Sequence, residues 1–304
     1  MLLTIVSGHM VSSIPFAADQ YPSIGQGTAF GCPRDFLGNR YVYTVVSARV
    51  RGLSIGINLN PDGRCNFDCL YCEVDRTRPQ PEKALDVPVM VAELQRTLEL
   101  ANSGGLRMRP AYRSVPEGVM RLRCVAISGD GEPTLSPGFA EALEAILHLR
   151  ACGRSPHFKL VLLTNASALD RPVVFNAVQL LRSFDEVWVK LDAGAQPHFD
   201  TINRPDCSLE TVLANIRELA RRRPVVIQSL FPSIRGQGPS PEEVEDYVQR
   251  LRELREAGAQ LRLVQICSAR EMPVHPQCGH LALLKLSEVA QKVRDVACLR
   301  AEVF

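Results

Sequence analysis

Apolar stretches, most of them short and nearly continuous in Val, Ile and Leu, recur along the chain at 53–59, 124–128, 159–164, 186–191, 225–231 and 261–266. Most of them lack the strict in–out alternation of a strand with one wet face. Continuous apolar runs this short are the signature of strands in a parallel sheet covered on both sides. A further stretch, 41–46, predicts one more short strand. Between the runs, apolar residues return at helical spacing in 87–101, 139–149, 170–181, 208–222, 240–257 and 287–299. Two of these helices carry start signals. Ser208 with Thr211 opens one, and Ser240-Pro241-Glu242-Glu243 puts proline at the first helical position and acids in the first turn of another.

Strand followed by helix, repeated six times, implies βα units joined by right-handed crossovers. The expected fold is therefore α/β, a partial (βα)6 parallel barrel rather than a closed eight-fold one. Ligands are expected at the C-terminal ends of its strands. Residues 1–40 hold Pro22, Gly25, Gly27, Gly31 and Pro33 with little periodicity and read as an irregular N-terminal extension. Residues 41–304 then form a single domain.

Composition narrows the class without deciding it. The chain has 304 residues, a net charge of +2 and ordinary hydrophobic content, which suits a globular protein. No run approaches the ~20 apolar residues of a membrane span. The apolar start, Met1 to Val6, lacks a basic flank and is broken by Gly8 and His9, so the protein is expected in the cytoplasm, with no membrane partner. The charge is too mild for an obvious nucleic-acid footprint, although five lysines are outnumbered by thirty arginines. The runs at 107–123 and 221–223 read as a solvated loop and a helix end.

Ten cysteines in a cytosolic chain point to metal before disulfides, and three of them cluster. Cys65, Cys69 and Cys72 stand as C-x3-C-x2-C directly after the first predicted strand of the barrel, with Tyr71 before the last of them. Three thiolates on one loop leave one iron of a 4Fe-4S cubane without a protein ligand and free to bind a small molecule, whereas electron-transfer clusters mostly use four cysteines. A structural zinc site would need a fourth ligand, for which Cys32 or a distant histidine are the candidates. A redox pair at Cys69 and Cys72 leaves Cys65 unexplained.

The cysteine segment resembles the radical S-adenosylmethionine (SAM) superfamily, and within it the iron–sulfur oxidoreductases similar to the tRNA-modifying wybutosine-synthesis enzymes. The lead-in from Ser47 to Asn58 looks like that group's. So does the Ser128-Gly129-Asp130-Gly131-Glu132-Pro133 element. The pieces at Leu163-Thr164-Asn165, Val189 to Gly194 and Ile202-Asn203-Arg204-Pro205 resemble later elements. The resemblance runs from about residue 41 to about 270. It implies one 4Fe-4S cluster on Cys65, Cys69 and Cys72, bound SAM, and reductive cleavage to a 5′-deoxyadenosyl radical that takes hydrogen from a substrate.

It also implies the SAM contacts: Tyr71 beside the cluster, and Gly129, Asp130, Gly131 and Glu132 at the amino group. Thr164 and Asn165 follow, with a helix N-cap as the alternative role. Lys190 would meet the carboxylate and Asp192 a ribose hydroxyl. Gln228 and Ser229, with Gln265 and Ile266, would face the barrel or the adenine. The family's G-x-I-x-G-x-x-E adenine motif is absent apart from Ile234-Arg235-Gly236.

A substrate is not legible; a small molecule, a peptide or a nucleotide all remain, and nucleic acid is not favoured. A flavodoxin- or ferredoxin-type reductase is the expected electron donor. Rival readings are a tRNA-modifying enzyme and a non-catalytic iron–sulfur or zinc module. Cys124, Cys152, Cys207 and Cys298 read as packing residues, Cys267 and Cys278 as small buried hydrophobes or hydrogen donors, and His275 and His280 as loop histidines. Arg204 reads equally as an anion clamp or a turn-stabilising residue.

Overall fold

The computed structural model of the chain describes Ala29 and residues 36–76, 84–153, 157–269 and 275–304. Among the described residues ten strands form: β1 (Val42–Ser47), β2 (Gly52–Ile57), β3 (Leu122–Ile127), β4 (Leu160–Thr164), β5 (Glu186–Lys190), β6 (Val225–Leu230), β7 (Ser233–Ile234), β8 (Leu261–Cys267), β9 (Cys278–Gly279) and β10 (Ala301–Val303). Eight α-helices accompany them among the described residues: α1 (Val87–Asn102), α2 (Pro110–Arg113), α3 (Phe139–Ala151), α4 (Pro172–Gln179), α5 (Gln196–Ile202), α6 (Leu209–Arg222), α7 (Pro241–Glu256) and α8 (Leu283–Val296).

One eight-stranded sheet runs in the order β1-β2-β3-β4-β5-β6-β8-β10. β1 is antiparallel to β2, and every other neighbouring pair is parallel. The partial barrel expected from the sequence is present, extended by one strand at each edge. β7 and β9 pair as a separate two-residue ribbon above β6 and β8. The strand β10 and the helix α5 are absent from the sequence reading because three and seven residues are too few to show a period. α8 starts at Leu283, ahead of the predicted 287.

The sheet has two differently filled faces. Ile55, Val125, Leu160, Val187, Ile227 and Val264 point to the helices and join the main core. One residue along each strand, Cys124, Val161, Trp188 and Val226 form a separate apolar cluster inside the curl. Alternation along a strand dictates this division. Toward the C-terminal ends the inner face turns polar, with Lys190, Gln228 and Gln265 in register across β5, β6 and β8. The Arg51 guanidinium reaches Glu302 at 3.1 Å and links the β1–β2 turn to β10.

The helix starts are capped as the sequence suggests. Ser240 and Glu243 form a reciprocal capping box with Pro241 at the first turn, and Ser208 accepts from the Thr211 amide. Glu93 of α1 accepts backbone N–H groups from Arg40, Tyr41 and Val42, which anchors the entry to β1. Ala29 and Phe36 are buried against Tyr43 and Val46. The rest of the expected extension, 1–28 and 30–35 with Cys32, lies outside the described residues. Among the described residues no helix is long and apolar enough to cross a membrane.

Below the sheet Asp185 is fully buried and takes a two-pronged grip from Arg150 at 2.6 and 2.9 Å. Burial by itself would push the Asp185 carboxyl up. The Arg150 bonds, with the Leu160 and Arg182 amides, outweigh burial and hold it below the usual carboxylate range. A depressed folded pKa means stability that is present above the unfolded value and lost as pH falls through the folded one. Asp185→Ala leaves the Arg150 cation buried without its partner and is expected to cost about 3–5 kcal/mol. Urea unfolding at neutral pH measures this, and the wild-type advantage should shrink below pH 4 or so.

Candidate metal and cofactor site

The three clustered cysteines sit on the loop that leaves β2, at the C-terminal mouth of the sheet. This loop has no regular structure, and its shape is imposed from outside by the turn after α5. The Leu70 amide donates to Ile202 O at 2.8 Å, and the Asp68 amide to Asn203 O at 3.1 Å. Asp206 N donates to Asn66 O at 3.1 Å, and Phe67 bridges to Pro205. Arg204 pairs with Asp68 at 3.3 Å on the outside. The Ile202 to Pro205 segment therefore braces the cysteine loop, and Arg204 takes its turn-stabilising role.

Each cysteine sulfur accepts from a different N–H. The Phe67 amide donates to Cys65 Sγ at 3.5 Å, the Asn203 side-chain amide to Cys69 Sγ at 3.5 Å, and Arg76 Nη1 to Cys72 Sγ at 3.1 Å. Burial pushes the Cys65 thiol up to about 12 and raises Cys69 as well. Thiols so placed keep their protons unless a metal replaces them, and N–H donors then stabilise the resulting thiolates. By this chemistry the loop fits an iron–sulfur cluster. Among the described residues no three His, Cys, Asp or Glu side chains converge as the ligand set of a single ion.

The Gly129 to Glu132 segment packs directly on that loop. A Cβ at Gly131 would stand 1.9 Å from Arg64 O, and one at Gly129 would stand 2.3 Å from Asn58 Oδ1. Close approach is the reason for both glycines, as expected, but the approaching group is the protein's own backbone and Asn58 rather than a ligand alone. Asp130 is gripped by Asn58 Nδ2 at 2.6 Å. Glu132 is buried and spends both oxygens inside the protein. Oε1 accepts from Thr134 and from the Thr164 hydroxyl, and Oε2 from the Asn165 amide at 2.7 Å. Burial pushes its carboxyl up while those donors pull it back. Its visible work is to tie the β3 loop to the end of β4.

Thr164 and Asn165 do not cap a helix, since α4 begins at Pro172. Thr164 braces Glu132, and Asn165 reaches Asn66 of the cysteine loop at 2.9 Å. Lys190 sits 3.6 Å from Asp192 and 4.8 Å from the centre of the Tyr71 ring, so a cation–π contact completes a partnership that Asp192 begins. Asp192 is buried, and both of its oxygens accept from the protein. Oδ1 receives the Leu230 amide at 2.7 Å; Oδ2 receives Asn203 Nδ2 at 2.7 Å and the Tyr71 hydroxyl. Burial, then the Asp192 charge, lifts the Tyr71 phenol well above its ordinary value, so it donates. The carboxylate expected at a ribose hydroxyl thus already holds three donors of the protein itself.

Gln228 and Gln265 face the inner side and meet at 3.3 Å, as expected. Ile266 and Ser229 do not. Each follows a glutamine in its strand and points the other way, Ile266 into the helix-side core and Ser229 to Tyr247 of α7 at 2.6 Å. Adjacent residues of one strand cannot share a face, so the pairing of Gln265 with Ile266, and of Gln228 with Ser229, as inner side chains is corrected.

Cys267 and Cys278 are buried, matching the packing alternative, and Cys124 lies in the inner apolar cluster. Cys152 and Cys298, expected to pack, are exposed instead, with Cys152 Sγ 3.4 Å from His148 Nε2. His275 lies 3.8 Å from Asp68, and His280 contacts Ala269 O at 3.1 Å. Arg223 binds four backbone carbonyls, Val178 in the last turn of α4 and Leu181, Arg182 and Asp185 between α4 and β5. Sequence reasoning passed over Arg76, Asn58, Asn66 and the role of Asn203. Asn58 and Asn203 sit inside segments already singled out; Arg76 carries no signal beyond lying four residues after Cys72.

No family model matches the chain. Curated relatives do: a UPF0026 protein of Helicobacter pylori J99 is 28% identical over 167 residues, covering 54% of this chain and 46% of that protein. A UPF0026 protein of Synechocystis is 30% identical over 180 residues, 58% of each. The chain thus spans about half the length of the curated relatives it matches.

Among solved structures, a radical SAM methyltransferase from Sphaerobacter thermophilus superposes with a TM-score of 0.60 at 16% identity, over 86% of this chain and 68% of that one. Streptococcus suis SuiB bound to S-adenosylmethionine gives 0.55 at 13%, over 82% and 50%. TYW1 with a lysine–pyruvate adduct gives 0.54 at 15%, over 84% of both chains. The resemblance read from the cysteine segment is borne out in the fold, which is that of radical SAM enzymes.

Proposed function

We propose that this chain, built on the radical SAM fold, is an enzyme that holds one 4Fe-4S cluster on Cys65, Cys69 and Cys72 and cleaves SAM reductively. The observation that carries the reading is the donor arrangement at the sheet mouth: three thiols on one loop, each sulfur with its own N–H. When bound, the reduced cluster supplies the electron that splits SAM into methionine and a 5′-deoxyadenosyl radical. The chain's own residues do the rest. The turn at 202–206 holds the loop in place, and the Gly129 to Glu132 segment lies against it. Lys190 offers a cation to a carboxylate at the mouth. The apolar cluster of Cys124, Val161, Trp188 and Val226 fills the inner face below and keeps water from that side.

Anaerobic reconstitution tests the reading directly. The expected result is about four irons per chain and 5′-deoxyadenosine on addition of SAM and dithionite. Zinc in place of iron, or an iron-loaded protein that releases no 5′-deoxyadenosine, contradicts it. A flavodoxin- or ferredoxin-class protein is the proposed physiological donor.

Lys190→Met probes the SAM site separately. Asp192 keeps the Tyr71, Asn203 and Leu230 donors without the lysine, so the fold should tolerate the change. SAM affinity of the iron-loaded protein should fall about tenfold, the equivalent of ~1.4 kcal/mol. Equilibrium dialysis measures it, and unchanged affinity removes Lys190 from the site.

A further inference from the structure

The three sulfurs of the cysteine loop are not equivalent, and the difference lies in their donors. Cys65 accepts from a backbone amide and Cys69 from the neutral amide of Asn203, both at 3.5 Å. Cys72 accepts from a guanidinium at the shorter 3.1 Å. The donor, Arg76, is itself held at two further points. Its Nε donates to Gly63 O at 3.0 Å, two residues before Cys65 on the same loop, and its Nη2 donates to Asp130 O at 2.9 Å, in the loop after β3. A planar fork with three N–H groups fixed on three acceptors has little freedom to swing away from the sulfur. Its positive charge is therefore pinned against one specific cysteine.

Hydrogen bonds to ligand sulfur and nearby positive charge both favour the more negative, reduced state of an iron–sulfur cluster, and so raise its reduction potential. From this geometry we infer that Arg76 is a positioning residue that sets the redox poise of the cluster held by Cys65, Cys69 and Cys72, through its bond to the Cys72 sulfur. The inference rests on the proposed cluster. Charge-assisted bonds outweigh neutral ones by roughly a factor of two. Arg76 is then the one charged donor hydrogen-bonded to these sulfurs, beside the neutral Phe67 amide, Asn203 amide and Tyr71 hydroxyl, and its loss shifts the potential more than loss of any other single hydrogen bond to the loop.

The test compares wild type, Arg76→Met and Arg76→Lys, each reconstituted anaerobically and titrated with dithionite under electron paramagnetic resonance, without SAM and without any activity measurement. Iron per chain is determined first. Arg76→Met should show a more negative midpoint, with at least a tenfold lower reduced-to-oxidised ratio at the wild-type midpoint, which is 59 mV for one electron. Arg76→Lys keeps the charge but loses the fork and should fall between the two. A midpoint in Arg76→Met equal to wild type at equal iron content overturns the inference and leaves the proposed function standing.

If Arg76→Met takes up no iron, Arg76→Lys decides: an intermediate, lowered midpoint supports the role, and a wild-type midpoint overturns it. A wild-type protein that takes up no four-iron cluster overturns both the inference and the function on which it rests.

Discussion

Cys69→Ala should yield a folded protein that takes up no stable four-iron cluster and releases no 5′-deoxyadenosine from SAM. The thiol is one of three on the loop, and with two left a cubane has two irons without protein ligands, which the reconstituted protein does not retain. The fold should tolerate the loss. Cys69 Sγ accepts from Asn203 at 3.5 Å and is approached by the Tyr71 hydroxyl, and both of those groups keep Asp192 as a partner. Removing one buried sulfur costs about 1 kcal/mol, too little to unfold the domain. Iron analysis, visible absorbance and chromatography of the nucleoside products measure the effect. Full iron and wild-type SAM cleavage in the alanine variant would rule out Cys69 as a ligand.

Gly131→Ala should break the site without touching a ligand. The added methyl would stand 1.9 Å from Arg64 O and 2.7 Å from Asn60 Cβ. The Arg64 carbonyl cannot turn aside freely, because it accepts the Glu132 amide at 3.1 Å. The cysteine loop and the β3 loop must therefore part. Overpacking of this kind costs about 3 kcal/mol or more, which lowers the melting temperature by about 5 °C or more. Bound iron should fall at least tenfold. Gly118→Ala, where nothing lies within 4 Å of the new methyl, serves as the control. A Gly131→Ala protein with wild-type iron content and melting temperature would mean that the two loops do not need this contact.

Much of this protein was determined locally, within short windows of the chain. Six largely apolar stretches placed six strands to within a few residues, because strands covered on both faces keep most of their positions apolar. Ser208 and Ser240 marked helix starts, because a cap is an interaction over three residues. The spacing of Cys65, Cys69 and Cys72 named the candidate ligands for the same reason.

Contacts between residues far apart in the chain were left to the tertiary structure. Whether Ile266 or Gln265 looks inward depends on the phase of β8 against β6, and one residue of shift reverses it. That Gly129 and Gly131 yield to Asn58 and Arg64, and that Asn203 reaches Cys69 across 134 positions, follows from crossovers that bring separate strand ends to one mouth. Arg76 belongs with them: its guanidinium finds Cys72 and Asp130 together only because the loops after β2 and β3 fold onto each other. Spacing along the chain specifies which groups are available. Only packing decides which of them meet, since the backbone bonds and steric contacts that bring them together join segments with no common local pattern.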